Sequence, residues 1–383
     1  MKIKDIQSQM DVEALIICRN NQFLGQDILA SENKIAELTG FDGSAGKLVI
    51  TKETAFLFVD GRYEIQSKLQ TNAEEVTVIV ENQNYNFRNW IKENLKKSKI
   101  GYNPWQVSIS TFKDWKKLLP EACFVTLPEI IKTPKATAFE HKIEFAGISR
   151  EEKIKKCIAQ SSADAIFIGA ADSVSWLTNL RSNALPETPI IRAFALLTAE
   201  EEVVLFADNL ILPANYSIKK YPLTKLEQVF KTLSGKKINA DFKYTPNIIF
   251  DICKKHQINI INTPDVCTFE KAQKNPVEIQ GIINAHIRDG VALCKFLHWL
   301  DKTKQDLTEI DVVKKLYLFR KKQQLFHSVS FATIAGAGSN SAIVHDHPTN
   351  DNHSKIITNS VLLLDSDGAC DICGAVKVLS AAV

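Results

Sequence analysis

At 383 residues, 45% hydrophobic and 24% charged, the chain is long enough for two or three ordinary domains and too apolar to be disordered. Lys+Arg of 47 against Asp+Glu of 44 leave a net charge of +3 with no basic block, which argues against nucleic acid or an anionic membrane as the main partner. No run approaches about 18 apolar residues, and the N-terminus has neither a long apolar core nor a small-residue cleavage site, so no membrane span and no secretory signal are expected. The eight cysteines are scattered, mostly in apolar segments, and read as reduced, buried thiols of a cytoplasmic protein.

In chain order, short apolar runs alternate with helix-periodic stretches, the pattern of α/β layering. Ala14 to Cys18 reads as a buried strand. Lys47 to Ile50 and Ala55 to Val59 read as a hairpin turning through Thr51 to Thr54. Asn86 to Lys97 and Ser110 to Leu119 read as amphipathic helices, with strands at Lys99 to Tyr102 and Cys123 to Leu127. After a polar, proline-containing stretch from Pro128 to Glu152 the order returns. Ala165 to Gly169 answers the first strand, Ser173 to Leu180 is a short helix, and Ala193 to Thr198 with Val203 to Phe206 is a second hairpin. Helices at Leu226 to Leu233 and Pro246 to His256 flank strands at Lys237 to Ala240 and Ile258 to Ile261. Even local text agrees, Leu38 to Ala45 paralleling Leu177 to Ala184. The pattern is a degenerate duplication of one α/β domain with a period of about 140–150 residues.

A third region opens at Asn275-Pro276-Val277-Glu278, where Asn caps, Pro suits the first helical position and Glu meets the positive end of the helix dipole. Its apolar face runs through Ile279, Ile283, Ile287, Val291, Cys294 and Leu297 to about Lys304, and Thr308 with Asp311 marks a second capped helix. Beyond Arg320 the text turns to small residues, glycine and histidine, before Val361 to Leu364, a central strand ending at Asp365.

Three segments stand out chemically. Phe41-Asp42-Gly43-Ser44-Ala45-Gly46 is glycine-rich but has neither dinucleotide nor phosphate-loop spacing, and reads as a helix-to-strand turn. Asp60-Gly61-Arg62-Tyr63 ends an apolar strand; Arg62 is either a surface residue of a turn or an arginine aimed at a substrate carboxylate or carbonyl. His345, His347 and His353 lie with Asp346 and Asp351 in one short stretch. That is either a solvated loop or a metal site in which His345 and His347 converge from alternate strand positions. Cys370-x-x-Cys373 has no second pair and is a weak zinc candidate.

In this order these segments, with Trp176 to Arg181, Lys274 to Glu278, Asn284 to Leu293 and Asn340 to His345, resemble the cytoplasmic Xaa-Pro aminopeptidases, the three-domain branch of the creatinase/prolidase superfamily. The resemblance implies two tandem creatinase-type α/β domains, 1–138 and 139–271, followed by an α+β pita-bread peptidase domain over 272–383, incomplete here. It implies two divalent metals, usually manganese, holding a hydroxide that attacks the bond before a penultimate proline, and a peptide substrate of that kind. Residue by residue, Asp365 matches the first metal-ligand aspartate, His345 the catalytic histidine that contacts substrate, and Arg62 the peptide-binding arginine of the N-terminal domain.

The match then breaks. The second ligand aspartate belongs eleven residues after Asp365, where Val376 stands with no donor atom, and the family's later histidine and two glutamates lie beyond Val383. Asp365 is thus the sole surviving ligand, and one carboxylate does not hold two hard cations. Asp367 or Asp371 substitutes only if the tail folds back. The expectation is a chain truncated by a frameshift or early stop, inactive alone and not binding the metal pair, with poor solubility, local disorder from about residue 325 onward, or association with another chain as the consequence. Apolar faces at Ile283, Ile287 and Val291 and at Val361 to Leu364 are expected to lie open, favouring a homodimer or association with another chain. Two other readings stand beside it: a non-enzymatic peptide- or partner-binding module, and a creatinase-like metal-free hydrolase using His345.

Overall fold

In the computed structural model, residues 2–303, 306–345, 347–357, 361–370 and 378–382 are described. The chain divides into two compact units, one of Met1–Phe139, Arg150–Leu185 and Ile190–Ala272, the other of Glu140–Ser149, Pro186–Pro189 and Gln273–Val383.

The first unit contains the duplication. Strands β1 (Ala14–Cys18), β2 (Lys47–Thr51), β3 (Ala55–Val59), β4 (Val76–Val80), β5 (Lys99–Tyr102) and β6 (Cys123–Thr126) form one sheet in the order β4-β3-β2-β1-β5-β6. Pairing is antiparallel from β1 through β3 and parallel at both flanks. Strands β7 (Ala165–Ile168), β8 (Phe194–Thr198), β9 (Val203–Phe206), β10 (Lys219–Tyr221), β11 (Lys237–Ala240) and β12 (Asn259–Asn262) repeat it as β10-β9-β8-β7-β11-β12, with the same pairing senses. Central strands buried on both faces carry unbroken apolar runs, which is why Leu48 to Ile50 and Ala165 to Ile168 were readable. The weakly patterned fourth strands, Val76–Val80 and the exposed Lys219–Tyr221, were not foreseen, nor was the helix Arg150–Ala159.

Duplication extends to the helix ends. Helix α1 (Lys34–Thr39) stops at Gly40 (φ +82°), and α2 (Ala171–Thr178) stops at Asn179 (φ +49°), both left-handed. A Cβ at Gly40 would sit 2.5 Å from the Gln70 carbonyl oxygen, so that copy requires glycine. The two halves also share a core. Phe23 and Trp105 pack on Phe194 at ring separations of 5.0 and 6.4 Å. Asn247 Nδ2 donates to the Tyr102 hydroxyl at 3.0 Å, and buried Glu32 pairs with buried Arg192.

In the second unit α3 (Pro276–Lys302) begins as its sequence dictates. Asn275 Oδ1 accepts from the amides of Val277 and Glu278, both at 3.0 Å, and Glu278 returns a bond to the Asn275 amide at 2.9 Å. Helix α4 (Glu309–Lys321) has the reciprocal Thr308–Asp311 box. Phe296, Val312 and Leu316 of these helices pack on Ala335, Ala337, Leu362 and Leu364. The last four belong to β13 (Ile334–Ala337) and β14 (Leu362–Ser366), which pair antiparallel with Ile334 opposite Asp365. Val378–Ala382 joins on the other side of β14, making it central, as expected. Disorder from residue 325 is not what the described residues show: Phe326–Val329 pairs with Gly368–Cys370. The apolar faces are open in part. Ile283, Ile287, Val291, Val361 and Leu363 are exposed, while Leu362 and Leu364 are buried because alternate strand residues face opposite sides.

Candidate functional site

Arg62 lies in a single 3₁₀ turn, Gly61–Tyr63, immediately after β3. Asp60 caps this turn by accepting from the Arg62 amide, and its carboxylate takes the guanidinium fork through Nε at 2.9 Å and Nη2 at 2.8 Å. That two-point grip raises the Arg62 pKa above its ordinary value and stands the guanidinium over the Tyr63 ring, 5.3 Å from its centroid. Tyr63 in turn meets Ser44 at 2.5 Å and Phe41 edge-on at 5.5 Å. The glycine-rich segment is therefore the platform beneath Asp60–Tyr63. A Cβ at Gly43 would sit 2.2 Å from the Phe41 ring, so the glycine provides close packing for an aromatic and no phosphate cradle. Arg62 remains half exposed, its fork oriented before any ligand arrives.

In the other unit Asp365 lies on central β14, and its Oδ1 is buried without a hydrogen-bond partner among the described residues. An orphan carboxylate oxygen is what a cation would satisfy. Yet among the described residues no three His, Cys, Asp or Glu side chains converge to hold an ion. Asp365 has the chemistry of a cation ligand, and among the described residues no further donors join it. Val376, Asp371 and Cys373 lie outside the described residues.

His345 sits in a turn, partly buried, and His347 in an exposed coil, so the two do not occupy the alternate strand positions on which the metal-site alternative rested; the loop alternative agrees with the backbone. Asp367 is fully buried, but it faces the Asp289–Arg320 pair. Among the described residues neither of its oxygens meets a donor in hydrogen-bond geometry, so nearby Ser330 and the Gly368 amide pull only weakly against burial, and its pKa is pushed up to about 6. Arg320 holds Asp289 through Nε at 2.7 Å and Nη2 at 3.0 Å, both residues buried. Sequence reading missed this pair, since a charge on a helical face ordinarily reads as solvated.

It also missed Glu309. As the first residue of a capped helix, Glu309 reads as an exposed dipole partner, but it is fully buried. Its carboxylate accepts from the Ala337 amide at 2.6 Å, the Ser354 amide at 2.6 Å and Asn340 Nδ2 at 3.1–3.2 Å. The legible signal was only its place beside Thr308 and Asp311.

Of the cysteines, Cys18, Cys157, Cys253 and Cys267 are buried thiols, whereas Cys123 and Cys294 are exposed. The last two sit on the outward side of an edge strand and of an amphipathic helix, where an apolar segment does not guarantee burial.

Comparison with known proteins places this architecture. The Creatinase/Prolidase N-terminal domain matches twice, over residues 2–133 and 126–278, and Metallopeptidase family M24 matches residues 280–377. Aminopeptidase P1 of Lotus japonicus is 27% identical over 94% of this chain and 68% of its own length. Xaa-Pro aminopeptidase ApepP of Drosophila melanogaster is 29% identical over 88% of this chain and 60% of its own. An X-prolyl aminopeptidase structure from Caenorhabditis elegans, described as a cytosolic enzyme with a di-nuclear active site, superposes over 99% of this chain and 68% of its own. The superposition has a TM-score of 0.89 at 22% identity, which shows the shared fold. A duplicated six-stranded α/β half followed by helix-backed antiparallel strands is the scaffold of the creatinase/prolidase class. The chain thus carries two Creatinase/Prolidase N-terminal domains and a match to Metallopeptidase family M24, and it is similar to Xaa-Pro aminopeptidases; the M24 match points to divalent metals as cofactors. It spans about 60–68% of the length of these relatives. No described helix is long and apolar enough to cross a membrane.

Proposed function

We propose that these residues form the peptide-recognition part and the first metal-ligand strand of a cytoplasmic Xaa-Pro aminopeptidase-type enzyme acting on peptides with a penultimate proline. The proposed roles are those of the family resemblance: Arg62 binds peptide, His345 contacts the substrate and the developing tetrahedral centre, and Asp365 is the first ligand of a manganese pair. The boundaries 1–138, 139–271 and 272–383 belong to the same proposal. Its main support is the buried, unpartnered oxygen of Asp365 on the central strand of the M24-matching region. A half-exposed guanidinium whose Nε–Nη2 edge is held by Asp60 has its position fixed in advance, which suits contact with a peptide carbonyl or carboxylate with little ordering to be done on binding.

The same observation sets the activity proposed for the 383 residues alone. Asp365 has no converging donors among the described residues, and one carboxylate does not retain a metal pair, so the proposal is that these residues bind peptide without cleaving it. The test is to load the purified chain with manganese, desalt it, measure bound metal by mass spectrometry, and follow release of arginine from an Arg-Pro-Pro peptide. We expect substoichiometric metal and no release, with peptide binding weakened in Arg62→Ala. Stoichiometric manganese with release abolished in Asp365→Ala overturns the inactive part; peptide binding unaffected by Arg62→Ala overturns the recognition part.

A second reading, association with another chain such as a homodimer, is favoured by the exposed stripe Ile279, Ile283, Ile287 and Val291 on α3. A monodisperse monomer by light scattering at high concentration removes it.

A further inference from the structure

We propose that Glu309 is the positioning residue for His345, clasping the segment that carries the histidine at both of its ends. The role in peptide contact given to His345 above is the one part of this that rests on the proposed function; the clasp itself rests on geometry. The residues from Gly338 to His353 leave β13 and return to Lys355–Ile356, which pairs with Leu307–Thr308 directly before α4. At the departing end, Glu309 Oε1 accepts from the Ala337 amide at 2.6 Å. At the returning end, Oε2 accepts from the Ser354 amide at 2.6 Å, while the Glu309 amide donates to the Ser354 carbonyl at 3.1 Å. Asn340 bridges the two through Nδ2, which also reaches Ser354 Oγ at 3.1 Å.

A carboxylate is required for this arrangement. Two backbone amides approach opposite oxygens of one side chain, and only an ionised carboxyl accepts on both sides. An amide in the same place satisfies one end and presents its own N–H₂ to the other. Being fully buried, Glu309 also has no water to share, so its bonds are charge-assisted. A capping residue would need only the helix's own amides, whereas Glu309 spends both oxygens on distant chain, 28 and 45 residues away. Thr308 already caps the helix. The function of Glu309 therefore lies outside α4, in closing the loop to a fixed span with His345 inside it.

The test uses the full chain, isotope-labelled at histidine, as wild type, Glu309→Gln, Asn340→Ala and His345→Ala. Hydrogen exchange, the His345 ring resonance and affinity for Arg-Pro-Pro are measured on each. For Glu309→Gln we expect exchange of the Ala337 or Ser354 amide to rise about ten- to a hundredfold, the loss expected of a charge-assisted bond. Amides of α3 should stay protected and the His345 resonance should shift. Peptide affinity should fall to that of His345→Ala, with no further loss in the double variant. Exchange and resonance both unchanged overturn the clasp. A freed loop with unchanged affinity overturns the positioning role. If Glu309→Gln unfolds the whole unit, Asn340→Ala decides: faster exchange confined to 337–354 with a shifted His345 signal supports the clasp, and no change refutes it. If wild type itself binds no peptide, the functional reading fails separately, and exchange and resonance still decide the clasp.

Discussion

Replacing Arg320 by methionine should be among the most damaging single changes in the second unit. Arg320 is 1% exposed and Asp289 6%. Arg320→Met removes two charged hydrogen bonds and leaves the Asp289 carboxylate without a counter-ion beside the equally buried Asp367. Stripping one partner from a buried pair costs about 3–5 kcal/mol, most of it the burial of the abandoned charge. The pair as a whole is worth far less, because Arg320 Nη1 has no partner among the described residues and the guanidinium's desolvation is incompletely offset. Arg320→Met combined with Asp289→Val should therefore recover most of the loss, to within about 1–2 kcal/mol of wild type. A chain of two units need not melt in one step, so the readout is native-state hydrogen exchange at Phe296, Val312 and Leu316 in the adjoining core. The single variant should exchange there at least about a hundredfold faster and the double variant less than about thirtyfold faster. A single variant within about tenfold of wild type, or a double variant as labile as the single, refutes the reasoning.

Three further outcomes follow from geometry already given. Gly43→Ala drives a methyl into the Phe41 ring and should lower the stability of the first unit by about 1–3 kcal/mol in chemical denaturation; an unchanged denaturation midpoint contradicts this. Asn275→Ala deletes the cap of α3 and its bond from Nδ2 to the Ala146 carbonyl at 2.8 Å; about 1–2 kcal/mol should be lost, visible as faster exchange in the first turn of the helix. With iodoacetamide at pH 8, Cys123 and Cys294 should be alkylated first. Burial pushes the Cys18 pKa to about 11 and the Cys253 pKa to about 12. A raised thiol pKa means the reactive thiolate forms only as pH climbs toward those values, so these two should resist until the fold opens. Early labelling of Cys18 or Cys253 in peptide mass mapping contradicts this.

What the sequence made legible was what apolar periodicity and turn chemistry determine locally. Lys47 to Val59 declared its hairpin, Asn275 to Glu278 its cap, and the repeated text at Leu38 and Leu177 a duplication that reaches even the left-handed helix ends. Val361 to Leu364 announced a central strand, which β14 is by its pairing on both edges, although Val361 and Leu363 on one face stay exposed. Less legible were features fixed by distant partners. Glu309 and Asp289 look like surface charges until 28 to 45 residues of intervening chain bring their partners back. His345 and His347 looked like alternate strand positions until the backbone was seen to turn there. Side-chain alternation is informative only where a ladder exists to enforce it.

The shared interior of the duplicated halves bears on how this polypeptide can be divided in the laboratory. A fragment ending near residue 138 would carry Phe23 and Trp105 with nothing to stack on, and would strand the Glu32 carboxylate without Arg192. Severing the repeats at the seam their sequences suggest thus produces sticky pieces, whereas expressing both together keeps every one of those residues covered.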